Sequence, residues 1–225
     1  MKRKLLLFVL CLPLLGLAQK EGNIWYFGEN AGLDFNSGSP VALTDGQLNT
    51  QEGCASISNF NGDLLFYTDG MLVYNKNHGI MPNGTGLLGH ESSSQSAIVV
   101  KKPASSSIYY IFTVGATGVN EGLRYSIVDM SLDGGLGAIT SDKNVLLLPY
   151  VCEKLTAIQH QNGFDFWIVS PQHTTNTLYS YLLTTNGVIS NPIQTNICFV
   201  EQTVGCFKAS HDGNRLAAAS IDIGK

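Results

Sequence analysis

Gly53-Cys54-Ala55-Ser56-Ile57-Ser58, a turn at Asn61-Gly62, and Asp63-Leu64-Leu65-Phe66-Tyr67-Thr68 are matched near the other end of the chain by Gly205-Cys206-Phe207-Lys208-Ala209-Ser210, a turn at Asp212-Gly213, and Arg215-Leu216-Ala217-Ala218-Ala219-Ser220. Each is a β-hairpin signal: a small-residue strand, a turn pair that accepts positive φ, and a second strand. Two further copies lie between them. Gln95-Ser96-Ala97-Ile98-Val99-Val100 leads through Pro103 to Ser107 into Ile108-Tyr109-Tyr110-Ile111-Phe112-Thr113, and Leu155-Thr156-Ala157-Ile158 leads through Asn162-Gly163 into Phe164-Asp165-Phe166-Trp167-Ile168-Val169-Ser170.

With Ile57, Ile98, Ala157 and Ala209 as markers, the copies are spaced by 41, 59 and 52 residues. That is close to the ~40–50 residues of a four-stranded propeller blade. Further strands extend the units at Met71 to Tyr74, Leu123 to Val128, Val145 to Leu148, Leu178 to Leu183 and Ile193 to Ile197. The apolar texture of the inner strands is continuous, with Ala, Ser and Gly where blades crowd toward the axis, as in sheets buried on both faces, whereas a β-sandwich alternates with one wet face. The fold class expected is all-β: a β-propeller of four-stranded antiparallel blades, incomplete, with about four blades of an expected seven or so.

Asn23-Ile24-Trp25-Tyr26-Phe27-Gly28 and Leu33-Asp34-Phe35 precede the first copy, and are expected to be outer strands of a blade completed by the far end of the chain, which protects sheet edges. The fourth copy runs out after two strands, at Ile223-Gly224-Lys225. The reading therefore expects residues 19–225 to be a propeller region truncated at its C-terminus, whose missing blades and later domains are its first partners.

Composition agrees. The 225 residues are 44% hydrophobic and only 13% charged, with 24 glycines, which suits short strands and tight turns better than helical surfaces. The net charge of −4 supplies no basic face for a phosphate backbone, so nucleic acid is not expected as a partner. Lys2, Arg3 and Lys4, the apolar run Leu5 to Leu17 and the small residues Gly16 and Ala18 before Gln19 form a secretory signal peptide over 1–18. The run is too short to span a bilayer as a helix. Cleavage leaves a chain of charge −7, exported to the periplasm, cell surface or exterior and not inserted in the membrane.

Export makes Cys54, Cys152, Cys198 and Cys206 candidates for bridges, with three possible pairings if both form. Cys198 and Cys206, eight apart, are the expected local disulfide, and Cys54 suits a small buried thiol equally well. No CxxC or HxxxH spacing marks a zinc site.

Lys208-Ala209-Ser210-His211-Asp212-Gly213-Asn214-Arg215-Leu216-Ala217 resembles the Ser-Pro-Asp-Gly-Lys-x-Leu-Ala signature of WD-like repeats of the Tol-associated and YVTN type, with His211 where proline is usual. Asn23 to Gly28 with Ala31 to Phe35, then Phe66-Tyr67-Thr68-Asp69-Gly70, Val73-Tyr74-Asn75, Met81-Pro82-Asn83-Gly84 and Asp129 to Gly137, resemble the amino-terminal propeller of large exported surface proteins of gliding bacteria. The resemblance covers nearly all of the chain after the signal peptide. It implies that immunoglobulin-like or PKD modules and a type IX sorting domain follow, and that the motifs carry no catalytic activity.

No catalytic, cofactor or metal residues are assigned. His78, His90, His160, His173 and His211 are scattered and sit beside no nucleophile motif, so each reads as a loop or turn histidine. Arg124 and Arg215 alone are too few for a sialidase-type anion clamp. Asp129, Asp133-Gly134-Gly135 and Asp142 invite calcium but read better as turn residues, as do Asp45-Gly46 and Asp69-Gly70. Asn83-Gly84-Thr85 is a sequon that reads as a turn, and Trp25, Tyr26, Tyr109, Tyr110 and Trp167 read as packing between blades rather than a glycan platform. The function expected is a non-enzymatic secreted or cell-surface propeller module for protein or carbohydrate interaction, at the front of an adhesin-like or gliding-associated surface protein. The alternative is a propeller hydrolase, of glycoside hydrolase or lactonase type, whose acidic residues would converge at the central channel.

Overall fold

The computed structural model describes residues 20–116, 121–173, 175–197 and 204–220. The signal peptide expected over 1–18 lies outside the described residues, and so does Cys198. The protein is all-β, its strands grouped in five antiparallel sheets that follow one another along the chain. The first holds β1 (Ile24–Phe27), β2 (Ala31–Asp34) and β3 (Val41–Leu43); the second β4 (Ala55–Ser58), β5 (Leu64–Thr68), β6 (Leu72–Asn75) and β7 (Ile80–Thr85). The third holds β8 (Ala97–Lys101), β9 (Ile108–Val114), β10 (Leu123–Asp129), β11 (Ala138–Ile139) and β12 (Val145–Leu148). The fourth holds β13 (Thr156–Gln159), β14 (Phe166–Pro171), β15 (Thr177–Thr184), β16 (Gly187–Val188) and β17 (Ile193–Asn196), and the fifth β18 (Phe207–Ala209) and β19 (Leu216–Ala218).

Each sheet is a meander, as short hairpin turns dictate. At the tips of β4–β5, β13–β14 and β18–β19, Gly62, Gly163 and Gly213 take positive φ. The side chains of Asn59, Asn162 and Asp212 accept the backbone N–H groups of the same turns. That is the turn chemistry the repeat advertised.

The core lies in the seams between consecutive sheets. Along β9, Tyr109 and Ile111 pack with Phe66, Val73 and Met81 of the second sheet, while Tyr110, Phe112 and Val114 pack with Leu155, Ile168 and Tyr181 of the fourth. Strand side chains alternate between faces, so a strand covered on both sides reads as an unbroken apolar run. Tyr26, Leu48, Leu64 and Tyr67 fill the seam between the first and second sheets, and Val169, Leu178 and Phe207 that between the fourth and fifth. The first strands of successive sheets lie side by side in chain order: β1 by β4, β4 by β8, β8 by β13, and β13 by β18.

Three expectations change. Residues 23–35 are not outer strands of a blade shared with the far end: they form, with β3, a sheet of their own whose β1 packs on β4. Among the described residues only the second sheet has four strands. In the third and fourth the outermost place is divided between two short strands, β11 and β12 on β10, and β16 and β17 on β15. Asn83, read as a turn, lies in β7, an outermost strand where Pro82 costs no ladder bond. Its Nδ2 donates to the Ile139 and Thr140 carbonyls of the next sheet. No helix among the described residues is long and apolar enough to cross a membrane.

Candidate functional site

The segments entering β4, β8, β13 and β18 meet at one end of the sheets, tied by buried polar groups that belong mostly to the turn over 91–96. Gln95 is buried there, with its Oε1 accepting the Leu155 N–H at 3.2 Å and the Phe207 N–H at 2.7 Å. Its Nε2 donates to the Phe207 carbonyl at 3.2 Å. The Ser94 N–H and hydroxyl both donate to Glu153 Oε2, at 3.0 and 3.1 Å, and Ser94 Oγ accepts the Gly205 N–H. Lys154, fully buried, donates from Nζ to the Val204 carbonyl at 3.0 Å, and burial pushes its ammonium below the ordinary lysine range. Gly53 donates to the Ser93 carbonyl, and a Cβ on it would lie 2.2 Å from Ser96 N, so this approach requires glycine. One turn of the third sheet thus holds the second, fourth and fifth.

The first strands run from this hub toward the hairpin tips, and their flanks open into three neighbouring clefts. One, of about 530 Å³, lies between β13 and β18 and is lined by Gln159, His160, Lys208, His211 and Asp212 among others. The second, of about 520 Å³, includes Ile57, Val99, Lys101, Ala157 and Gln159, with Glu21 at its edge. The third, of about 560 Å³, lies against β1 and β4 and is lined by Trp25, Phe27, Leu33, Ala55, Ser56 and Lys208. Ala157 and Gln159 are shared by the first two, and Lys208 by the first and third, so the three adjoin one another along the first strands, at what we call the mouth.

Between the first two sheets sits a polar circuit. The Tyr26 hydroxyl donates to Asp45 Oδ1 at 2.8 Å, Asp45 Oδ2 lies 3.3 Å from His78 Nε2, and His78 Nδ1 lies 3.0 Å from the Tyr67 hydroxyl, which also accepts the Gln47 N–H. An ionised Asp45 can only accept, so a neutral His78 presents Nε2–H to it and takes the Tyr67 hydroxyl proton at Nδ1. The rings of Tyr26, Tyr67 and Tyr74 stack with centroids 4.5 and 5.2 Å apart. Burial pushes the Tyr67 phenol up to about 12, and burial with the Asp45 bond raises Tyr26 further; the Tyr26 bond holds Asp45 below the usual carboxylate range. Tyr67 is fully buried, whereas the side chains of His78 and Asp45 are 24% and 58% exposed, so the circuit fastens the seam from within and opens to solvent at its Asp45 end.

No family model, curated protein or solved structure matches the chain.

The residues weighed from sequence are placed as follows. Cys54 is half-buried, Cys152 buried and Cys206 exposed; burial raises the first two thiols, and the bridge expected between Cys198 and Cys206 involves a partner outside the described residues. His160 and His211 share a cleft, His78 joins the tyrosine circuit, and His90 and His173 stand apart. Arg124 binds the Glu121 and Asn144 carbonyls within its own sheet. Asp129 accepts the Ser131 N–H and hydroxyl, and Asp69 the N–H groups of Met71 and Leu72, both as turn residues. Among the described residues no group of three or more His, Cys, Asp or Glu is arranged to hold a metal ion. Tyr26, Tyr109 and Tyr110 are packing residues, whereas Trp25 is half exposed. Sequence reasoning missed Gln95, Glu153 and Lys154. The signal was there: long polar side chains occupy the slot before a first strand where the outer copies carry Gly-Cys.

Proposed function

We propose that the chain is a non-enzymatic β-propeller module of an exported or cell-surface protein, which engages a protein or carbohydrate partner at the mouth between its first strands. Sheets in chain order with adjacent first strands, and core in every seam, are what blades about an axis require. Lys208 of the last sheet stands beside Trp25 and Ala55 of the first two, as strands circling an axis would place it. The signal pattern over 1–18 and the resemblance to surface proteins of gliding bacteria support the location and a longer parent protein.

The observation that carries the non-enzymatic reading is the wall of the mouth, Ala55, Ile57, Val99, Ala157 and Ala209, along which the lining carboxylates among the described residues, Glu21 and Asp212, stand in different clefts. The buried carboxylate of Glu153 at the hub accepts two bonds from Ser94. The test pairs retention of the purified chain on protein and glycan microarrays with turnover assays on chromogenic glycosides and lactones. Selective retention without turnover is expected. Turnover abolished by His160→Ala or His211→Ala would replace this reading with a hydrolase.

A further inference from the structure

We propose that the cleft against β1 and β4 binds a carboxylated sugar, a uronate unit of an acidic oligosaccharide, with Lys208 as partner of the carboxylate and Trp25 as platform for the ring. This rests on the interaction-module reading above and supplies its ligand class. At about 560 Å³ the cleft suits one or two pyranose rings. Its walls are Trp25, Phe27, Leu33 and Ala55, and Lys208 is the one charged residue among those that line it.

Trp25 is 50% exposed and Phe27 36%. The Trp25 indole N–H already donates to the Gly22 carbonyl at 2.7 Å, and its ring is braced by Phe35 at 4.9 Å, so a fixed apolar face is what it offers. Lys208 is exposed and is in neither of the ion pairs Asp45–His78 and Arg124–Glu121, so its ammonium faces the cleft as a local cation. In a chain of net charge −4, an anion is read by such a local cation and not by the long-range field. A neutral sugar would shield that ammonium from water without pairing it, which disfavours it. An acidic peptide would satisfy the charge and leave the indole face without a ring.

Lys208 also lines the cleft shared with β13, where Gln159, His160 and His211 supply groups for hydroxyls and the Asp212 carboxylate accepts from a hydroxyl and disfavours a second carboxylate beside it. His160 Nδ1 accepts the Asn162 N–H at 3.1 Å, so its proton sits on Nε2 as a donor. An acidic sugar held at Lys208 therefore has a hydroxyl-binding subsite for the next unit of its chain.

The test is calorimetric titration of the purified chain with tetragalacturonate, galactotetraose and tetraglutamate. Tetragalacturonate is expected to bind at least about tenfold more tightly than the other two, and to weaken as salt rises from about 50 to 500 mM. Lys208→Gln and Trp25→Ala should each cost about tenfold in affinity. Lys208 is exposed, so thermal unfolding of Lys208→Gln should not move, which separates lost binding from lost folding; Trp25→Ala also gives up the Gly22 bond and the Phe35 contact, so its affinity is compared at a temperature where the chain stays folded. Equal affinity for the neutral tetramer, equal affinity for the peptide, absence of binding, or an unaffected Lys208→Gln variant would overturn the proposal. Binding of galactotetraose alone would sink the acidic ligand and leave the module reading standing; new reducing ends from tetragalacturonate would sink the module reading and support the site.

Discussion

Replacing Gln95 by leucine keeps the side-chain volume and removes all three of its hydrogen bonds. Two backbone N–H groups, of Leu155 and Phe207, and the Phe207 carbonyl then lose their partner in a buried setting. A buried polar group left unsatisfied costs about 1–3 kcal/mol, so the three together, allowing for shared relaxation, cost about 3–5 kcal/mol. Total stability of a domain is about 5–15 kcal/mol, so this is a large share. The loss should be local first, because the fifth sheet would keep only the Ser94–Gly205 and Lys154–Val204 bonds at its entry and the packing of Phe207 against Val169 and Leu178 among the ties described above. Hydrogen exchange should show faster exchange over 204–218 and at Leu155, with β5 and β9 still protected, and urea unfolding followed by tryptophan fluorescence should show a lower midpoint. A Gln95→Leu chain with an unmoved midpoint and unchanged protection at Phe207 would refute the assignment of Gln95 as the tie.

Three other outcomes are expected. Tyr67→Phe deletes the hydroxyl between His78 Nδ1 and the Gln47 N–H and should lower unfolding free energy by about 1–3 kcal/mol in urea titrations. Asp45 titrates below its ordinary value in the folded state, so its contribution is present above the unfolded carboxylate value near about pH 4 and is lost as pH falls through the lower folded one. Stability measured downward from neutral pH should fall over that acidic window, and Asp45→Asn should flatten that part of the profile. The raised thiols of Cys54 and Cys152 should alkylate slowly at neutral pH in the folded chain and rapidly in urea, with peptide mass mapping as readout; equal rates in both states would contradict their burial.

The hairpins were legible because their determinants are local. Asn61-Gly62, Asn162-Gly163 and Asp212-Gly213 fix turns within a few residues, and the run Ile108 to Thr113 declares a strand buried on both faces. Short edge strands such as β3, β11 and β16 were not legible, since a strand of two or three residues is held by its neighbour more than by its own side chains. The Asp45–His78–Tyr67 circuit was hidden for the same reason: its members come from three separate segments, and nothing in a lone Asp-Gly or a loop histidine announces a partner. The mouth was half legible. His160 and His211 stood out as residues but not as neighbours, and Lys208 read as one letter of a repeat.

Gln95 meets Leu155 across 60 residues and Phe207 across 112. During synthesis the amide exists long before either partner, and the second and third sheets can form from contacts close in sequence while it remains solvated. Lengthening the closed loop from the first bond to the second adds only about 0.6 kcal/mol of closure entropy. Assembly order is thereby written into the chain: the early sheets carry the socket, and β18, arriving after them, locks the ones before it.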